Sequence, residues 1–269
     1  MPRKIKRYGW VPDIPDPRDL LFAAPATVLQ NLPSSVDLRP GCPAVYDQGE
    51  LGSCTANAIG GAFEFEQKKL HLIDWVPSRL FIYYNERYME GTVDQDSGAR
   101  IRDGIKSVVK LGAPPETDWP YNTDMPVVIR KPSAPAYRDA LKSKVSSYHR
   151  VLQNLSQMKG CLADGYPFVF GFTVYESFES DEVAKTGIVP MPNPNAEQQL
   201  GGHAVLAVGY DDAQQRFIVR NSWGAGWGIS GYCTMPYAYL NDRQYADDFW
   251  TIRGVTGEPV TTSAGAAAD

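Results

Sequence analysis

An α+β protein with segregated lobes is predicted by two features of the chain. Helical periodicity comes first along the chain, and strand patterning dominates later. A length of 269 residues with 43% hydrophobic content can also bury a substantial core, as one large domain or two lobes. The net charge of −5 provides no basic surface for nucleic acid. No apolar run approaches the ~20 residues that cross a bilayer, so nucleic acid and membrane are both excluded as partners. The opening Met1-Pro2-Arg3-Lys4-Ile5-Lys6-Arg7 is basic but no apolar segment follows it. No signal peptide is visible, which leaves a cytoplasmic protein, one exported without a cleaved signal, or one whose leader lies outside this sequence.

The elements follow in order. Residues 1–34 form an arm in which Pro12, Pro15, Pro17, Pro25 and Pro33 forbid long helices and favour extended chain, while Trp10, Leu20, Leu21 and Phe22 supply apolar contacts. A helix is expected from Cys54 to about Leu70, apolar nearly all round in its first half and therefore central. A second begins after Ser78 as N-cap and carries Leu80-Phe81-Ile82-Tyr83-Tyr84. A third runs from about Ala99 to Leu111, with Gly112 ending it before Pro114-Pro115. Residues 114–135 read as a crossing segment between lobes. A short helix is expected over Leu155–Leu162. Strands follow at Phe168–Val174, His203–Tyr210, Phe217–Asn221, Gly231–Met235 and Phe249–Arg253. The tail 257–269 is expected to be flexible. Cysteine and histidine never cluster as a metal site requires, so neither metal nor other cofactor is expected.

Three segments carry chemistry. In Gln48-Gly49-Glu50-Leu51-Gly52-Ser53-Cys54 a cysteine opens a helix, where the macrodipole favours a thiolate, and a glutamine six residues earlier can donate its amide to an oxyanion. In Gly201-Gly202-His203-Ala204-Val205 a histidine opens an apolar strand. In Asn221-Ser222-Trp223-Gly224 an asparagine ends a strand before a tryptophan-glycine turn. Cys54, His203 and Asn221 make a nucleophile, a base and an orienter, Gln48 adds an oxyanion donor, and Trp223 would shield the His203–Asn221 hydrogen bond from water.

These blocks, in this order, resemble the papain-like cysteine peptidases, from roughly Ser35 to Gly254. Arg-Tyr-Gly-Trp-Val-Pro-Asp at 7–13 and Gly-Ser-Cys-Thr-Ala-Asn-Ala at 52–58 resemble the family's compact bacterial branch. The resemblance implies a helical lobe over about 44–140 and a β-barrel-like antiparallel lobe over about 141–256 plus 35–43, with an active-site cleft between them. It implies a cysteine endopeptidase working through a thioester acyl-enzyme on a peptide or protein substrate, as a monomer. The arm is then a pro-segment-like, intramolecular inhibitor covering the cleft. By the same resemblance Gly98 pairs with an extended substrate, Ala99, Gly171, Gly202 and Ala204 line the pocket for the second residue upstream of the cut, and Gly52, Ser53, Ser97 and Trp223 complete the substrate-facing set. Gly202 before the histidine and Arg100 where a proline is usual make that pocket roomy, without an acidic base or a preference for basic residues. Thr55 stands where the family has tryptophan. The disulfide of secreted relatives is lost at both ends, at Leu51 and Gln95, and Cys42, Cys161 and Cys233 are expected to be small buried residues, a pair among them being the alternative. Other functions compatible with the fold are an effector acting on one dedicated protein partner, and a non-catalytic binding protein.

Overall fold

The computed structural model describes residues 8–260. Helices lie at α1 (Ala26–Gln30), α2 (Cys54–Lys69), α3 (Arg79–Glu90), α4 (Ile101–Lys110), α5 (Met125–Val128), α6 (Ala134–Ala140), α7 (Leu155–Ala163), α8 (Asp181–Thr186) and α9 (Tyr237–Asn241). Strands lie at β1 (Leu21–Phe22), β2 (Ser35–Asp37), β3 (Val145–Val151), β4 (Phe168–Tyr175), β5 (Gln199–Asp211), β6 (Arg216–Arg220), β7 (Tyr232–Pro236) and β8 (Ala246–Val255). They form one sheet in the order β1-β3-β8-β4-β5-β6-β7, with β2 added to β5. The pairing is antiparallel except for β1 on β3. The sheet is open, not closed into the barrel-like form that the resemblance implied.

Strand β4 and the His203–Tyr210 stretch of β5 are buried almost without alternation because both faces of the sheet are covered there. Phe168, Phe170, Phe172, Val205 and Ala207 point to one core with Trp223, Trp227 and Tyr239. Their neighbours Val169, Ala204, Leu206 and Val208 point to the other, shared with α2, α3 and α4 through Ile59, Phe63, Ile82 and Ile105. Helix α2 is buried from Cys54 to Gln67, as its composition required. Ser78 caps α3 by accepting the Phe81 N–H at 3.1 Å. Gly112 has φ +75°, and a Cβ there would lie 1.8 Å from the Ala140 oxygen, so the chain leaves α4 through a turn that only glycine allows. Among the described residues no helix is long and apolar enough to cross a membrane.

The arm departs from its expected form. Phe22 is buried, but Leu20 and Leu21 are 66% and 55% exposed. Its second half is built into the body: β1 pairs with Arg150 and Val151, and Ala24 and Leu29 press on Gly160 of α7. At the other end, 257–260 is tied to the body by Ile73 N–H to the Glu258 oxygen (2.9 Å) and Val260 N–H to the His71 oxygen (3.0 Å). Residues 1–7 and 261–269, including the basic N-terminus and most of the expected flexible tail, lie outside the described residues. The four thiols are free, Cys161 and Cys233 buried and Cys42 half-buried.

Candidate active site

Cys54 is the first residue of α2, and His203 stands in β5 opposite Phe172 of β4. Asn221 follows the last residue of β6, so the sheet brings both polar side chains to the N-terminus of the central helix. His203 Nε2 lies 2.8 Å from Asn221 Oδ1. That oxygen also accepts the Ser222 N–H at 2.8 Å, which identifies it as oxygen and makes Nε2 the protonated nitrogen. Nδ1 therefore carries the lone pair; it is buried and has no hydrogen-bond partner among the described residues. The Trp223 ring lies 5.1 Å from the imidazole, and Phe172, Phe178 and Tyr8 close the remaining sides.

Gln48 is held at both ends. Its Oε1 accepts from Ser222 Oγ at 2.6 Å and its Nε2 donates to the Leu51 oxygen at 2.8 Å, leaving one Nε2 hydrogen uncommitted by these bonds. Tyr121 donates to the Gln48 carbonyl at 2.9 Å and shares a 2.5 Å hydrogen bond with Ser53 Oγ. Thr55, the family's tryptophan position, donates to the buried Glu86 at 2.6 Å.

Cys54, His203 and Gln48 are each fully buried, because the arm runs through the cleft. Trp10 N–H donates to the Gly202 oxygen (2.8 Å), Ala99 N–H to the Gly9 oxygen (2.8 Å) and Val11 N–H to the Ala99 oxygen (3.0 Å), a parallel bridge. The amide N–H of Gly9 is turned to the Cys54 sulfur, as are those of Ala204 and Thr55. Tyr8 packs on His203 and donates to Glu179. Burial dominates the electrostatics: it pushes the Cys54 thiol up to about 12 and the His203 imidazole down to about 4, although the Asn221 hydrogen bond pulls the latter upward. Desolvation thus outweighs the helix-start effect expected from sequence, and the closed site holds a neutral thiol and a neutral imidazole.

Trp10 fills the pocket expected between Ala99, Gly171 and Gly202; a Cβ at Gly171 or Gly202 would lie 2.0 or 2.6 Å from its ring. The expectation of a pocket without an acidic base is corrected here. The indole N–H donates at 3.0 Å to Asp248, a buried residue at the base of the pocket. The strand Ala-Asp-Asp-Phe-Trp shows an acid there but does not record the partners it meets. Asp248 also accepts the Asp13 N–H (2.7 Å) and a bond from Arg150 (3.3 Å). The arm pairs with Ala99 and not with Gly98, whose N–H goes to the Tyr83 hydroxyl at 3.0 Å. Gly52 and Gly98 do pack against Gly9. Ser53, bonded to Tyr121 and Asn57, lies behind the nucleophile, and Ser97 bonds within its own loop to Thr92 and Gly98. Sequence reasoning missed Tyr8, Asp96, Tyr121 and Asp248.

Two lobes meeting at a helix-borne cysteine, with a strand-borne histidine bonded to an asparagine, define a thiol hydrolase of the papain type. A model of the papain family of cysteine proteases matches residues 32–248. Xylellain, a cysteine protease of Xylella fastidiosa, is 45% identical, with a TM-score of 0.87 over 97% of this chain and 99% of its own. The peptidase C1-like protein of Acanthamoeba polyphaga mimivirus is 43% identical over 93% of this chain and 88% of its own length. Procathepsin B of Trypanosoma congolense, at 19% identity and a TM-score of 0.71 over 95% of this chain and 87% of its own, shares the fold. The chain belongs to the papain family of cysteine proteases and is a cysteine endopeptidase, hydrolysing peptide bonds.

Proposed function

We propose that Cys54 is the nucleophile, His203 its base and then its acid, Asn221 the residue that orients the ring, and Gln48 an oxyanion donor. The observation that carries this reading is the His203–Asn221 bond, which fixes the tautomer with a proton acceptor on Nδ1. Nδ1 takes the thiol proton as sulfur bonds to the substrate carbonyl carbon. The developing oxyanion is met by the Cys54 N–H and the second hydrogen of Gln48 Nε2. Collapse breaks the C–N bond, the amine leaves with the proton from Nδ1, and a thioester remains. Water, deprotonated by His203, then releases the acid and restores the thiol. With the arm displaced from the cleft, an epoxide selective for activated thiols should label Cys54, and Cys54→Ala or His203→Ala should abolish peptide turnover. A folded His203→Ala variant with full turnover would overturn the assignment. Cleavage of one protein alone from a proteome digest would favour the dedicated effector.

The arm supports a second part of this reading: residues 8–19 act as an intramolecular inhibitor of the body. Its bridge to Ala99 is parallel and an amide N–H faces the sulfur, so no scissile carbonyl is presented. The latch lies further along the arm. Asp13 accepts from Arg102 N–H (3.1 Å) and the Trp250 indole (2.8 Å), and Asp19 pairs with Arg102 and Arg150 (3.2 and 3.4 Å). Residues 20–34 belong to the body, so removal of the whole expected arm would strip β1 and α1 as well. Once Trp10 leaves, the pocket ends in the Asp248 carboxylate and suits a long side chain tipped with an N–H donor, such as arginine. Peptides with arginine at the second upstream position should be turned over faster than those with leucine, and Asp248→Ala should reverse the order. A leucine preference in the parent protein would sink this part.

A further inference from the structure

We infer that Asp96 is a positioning residue for hydrolysis, one that aims the Gln48 side-chain amide by fixing the Leu51–Gly52 peptide. The inference rests on the reading of Gln48 as an oxyanion donor. The Leu51 carbonyl and the Gly52 N–H are opposite edges of one rigid plane. The N–H is gripped by both Asp96 oxygens, at 3.1 and 3.0 Å, and the carbonyl accepts Gln48 Nε2 at 2.8 Å. Since Ser222 holds the other end of the same amide, the tilt of this plane decides where the remaining Nε2 hydrogen points. A charged acceptor on the N–H also polarises the unit and makes the opposite carbonyl a better acceptor for Gln48.

Asp96 is itself fixed from behind. The Tyr83 hydroxyl donates to it and in turn accepts the Gly98 N–H at 3.0 Å. The guanidinium of fully buried Arg87 lies 4.1 Å from the Tyr83 ring and donates to the Gln95 carbonyl at 2.8 Å. One carboxylate therefore joins the nucleophile loop to the loop on the far side of the cleft. It joins them at the residues, Gly52 and Gly98, between which the arm is threaded. Asp96, and not Gln95, is the residue that faces the nucleophile loop.

The role separates two reactions of the same thiol. Alkylation by iodoacetamide needs the thiol and His203 but no oxyanion donor, whereas peptide hydrolysis needs all of them. Both are to be measured for the full chain and for full-chain Gly9→Ala, whose added Cβ would lie 1.7 Å from the Gly52 oxygen and so lift the arm, each carrying Asp96→Ala, Asp96→Asn or Gln48→Ala. Asp96→Ala should lower kcat about ten- to hundredfold, less than the loss of an oxyanion donor itself, with alkylation unchanged. Asp96→Asn, which keeps an acceptor oxygen for Gly52, should restore most of kcat. In a Gln48→Ala background, Asp96→Ala should cost nothing further. Alkylation falling in step with kcat, or additive losses in the double variant, would overturn the inference. A readout independent of turnover is the Gln48 side-chain amide resonance, which should shift in Asp96→Ala and hold in Asp96→Asn. An unmoved resonance in Asp96→Ala would also overturn it. A Gln48→Ala variant with undiminished kcat would remove the oxyanion reading of Gln48 instead.

Discussion

Gly9 occupies a place in the cleft where no other residue fits. A Cβ there would lie 1.7 Å from the Gly52 oxygen, and one on Gly98 opposite would lie 2.2 Å from the Gly9 oxygen. Backbone is in contact on both sides, so relief requires the arm to lift. Overpacking of a tight site costs about 1–3 kcal/mol, which corresponds to roughly five- to 150-fold in the open population. Full-chain Gly9→Ala should therefore turn over small peptides at least about fivefold faster than the parent. Equal rates in two folded proteins would count against the arm as a block. The same variant tests the electrostatics. With the arm in place, burial keeps the thiol near 12 and the imidazole near 4, so parent alkylation should climb only toward strongly alkaline pH. Readmitted water removes that desolvation, and the Gly9→Ala profile should begin its rise at lower pH. Superimposable profiles would show that the arm is not what desolvates Cys54.

At the scale of elements, the helical lobe depends on a few end conditions. Ser78 Oγ accepts the Phe81 N–H and donates to the Trp119 carbonyl at 2.6 Å, joining the start of α3 to the crossing segment. Ser78→Ala should lower stability by about 2 kcal/mol, combining a lost cap with a buried carbonyl left unpaired. Denaturant unfolding should show this while kcat stays unchanged; a drop in kcat without loss of stability would place Ser78 in the site. This helix, α2 and α4 were legible in the sequence because each carries helical apolar spacing, with Ser78 marking the start of α3 and Gly112 the end of α4. The strands around His203 and Asn221 were legible because burial on both faces leaves continuous apolar runs. Strand β3 was not, since Ser-Ser-Tyr-His-Arg is polar and becomes a strand through pairing with β8. Asp96 and Asp248 were illegible for a related reason: each gains its role from partners far along the chain, Gly52 for one and Trp10 and Asp13 for the other. No local pattern records such a meeting, whereas Gln48, Cys54, His203 and Asn221 sit in motifs whose residue types already name the chemistry.

The molecule as a whole joins a body to an arm across a buried set of charges, and this makes closure depend on pH. Asp248 faces Asp13 from the arm, Asp247 from its own strand and Arg150 from β3; Asp13 in turn faces Arg102 from α4. Desolvation is the largest influence on Asp248 and holds it at about 7, with Asp13 raised as well. Opening of the arm withdraws the Trp10 and Asp13 donors but also lets water reach the carboxylate. Desolvation being the larger effect, the Asp248 value falls toward the ordinary 3.8 on opening. The closed form therefore holds more protons than the open form between those two values, and closing takes up protons. By linkage the closed form gains stability as pH falls through about 7 and the gain levels off near the open-state value. The Trp10 and Ala99 amides, which bond across the arm–body boundary, report the opening equilibrium through hydrogen exchange. After correction for intrinsic rates, both should be better protected at about pH 6 than at about pH 8. Asp248→Asn, neutral at both values, should remove the difference. Protection that rises toward alkaline pH would show that the Asp19 pairs with Arg102 and Arg150, and not the carboxylate pair, govern the latch.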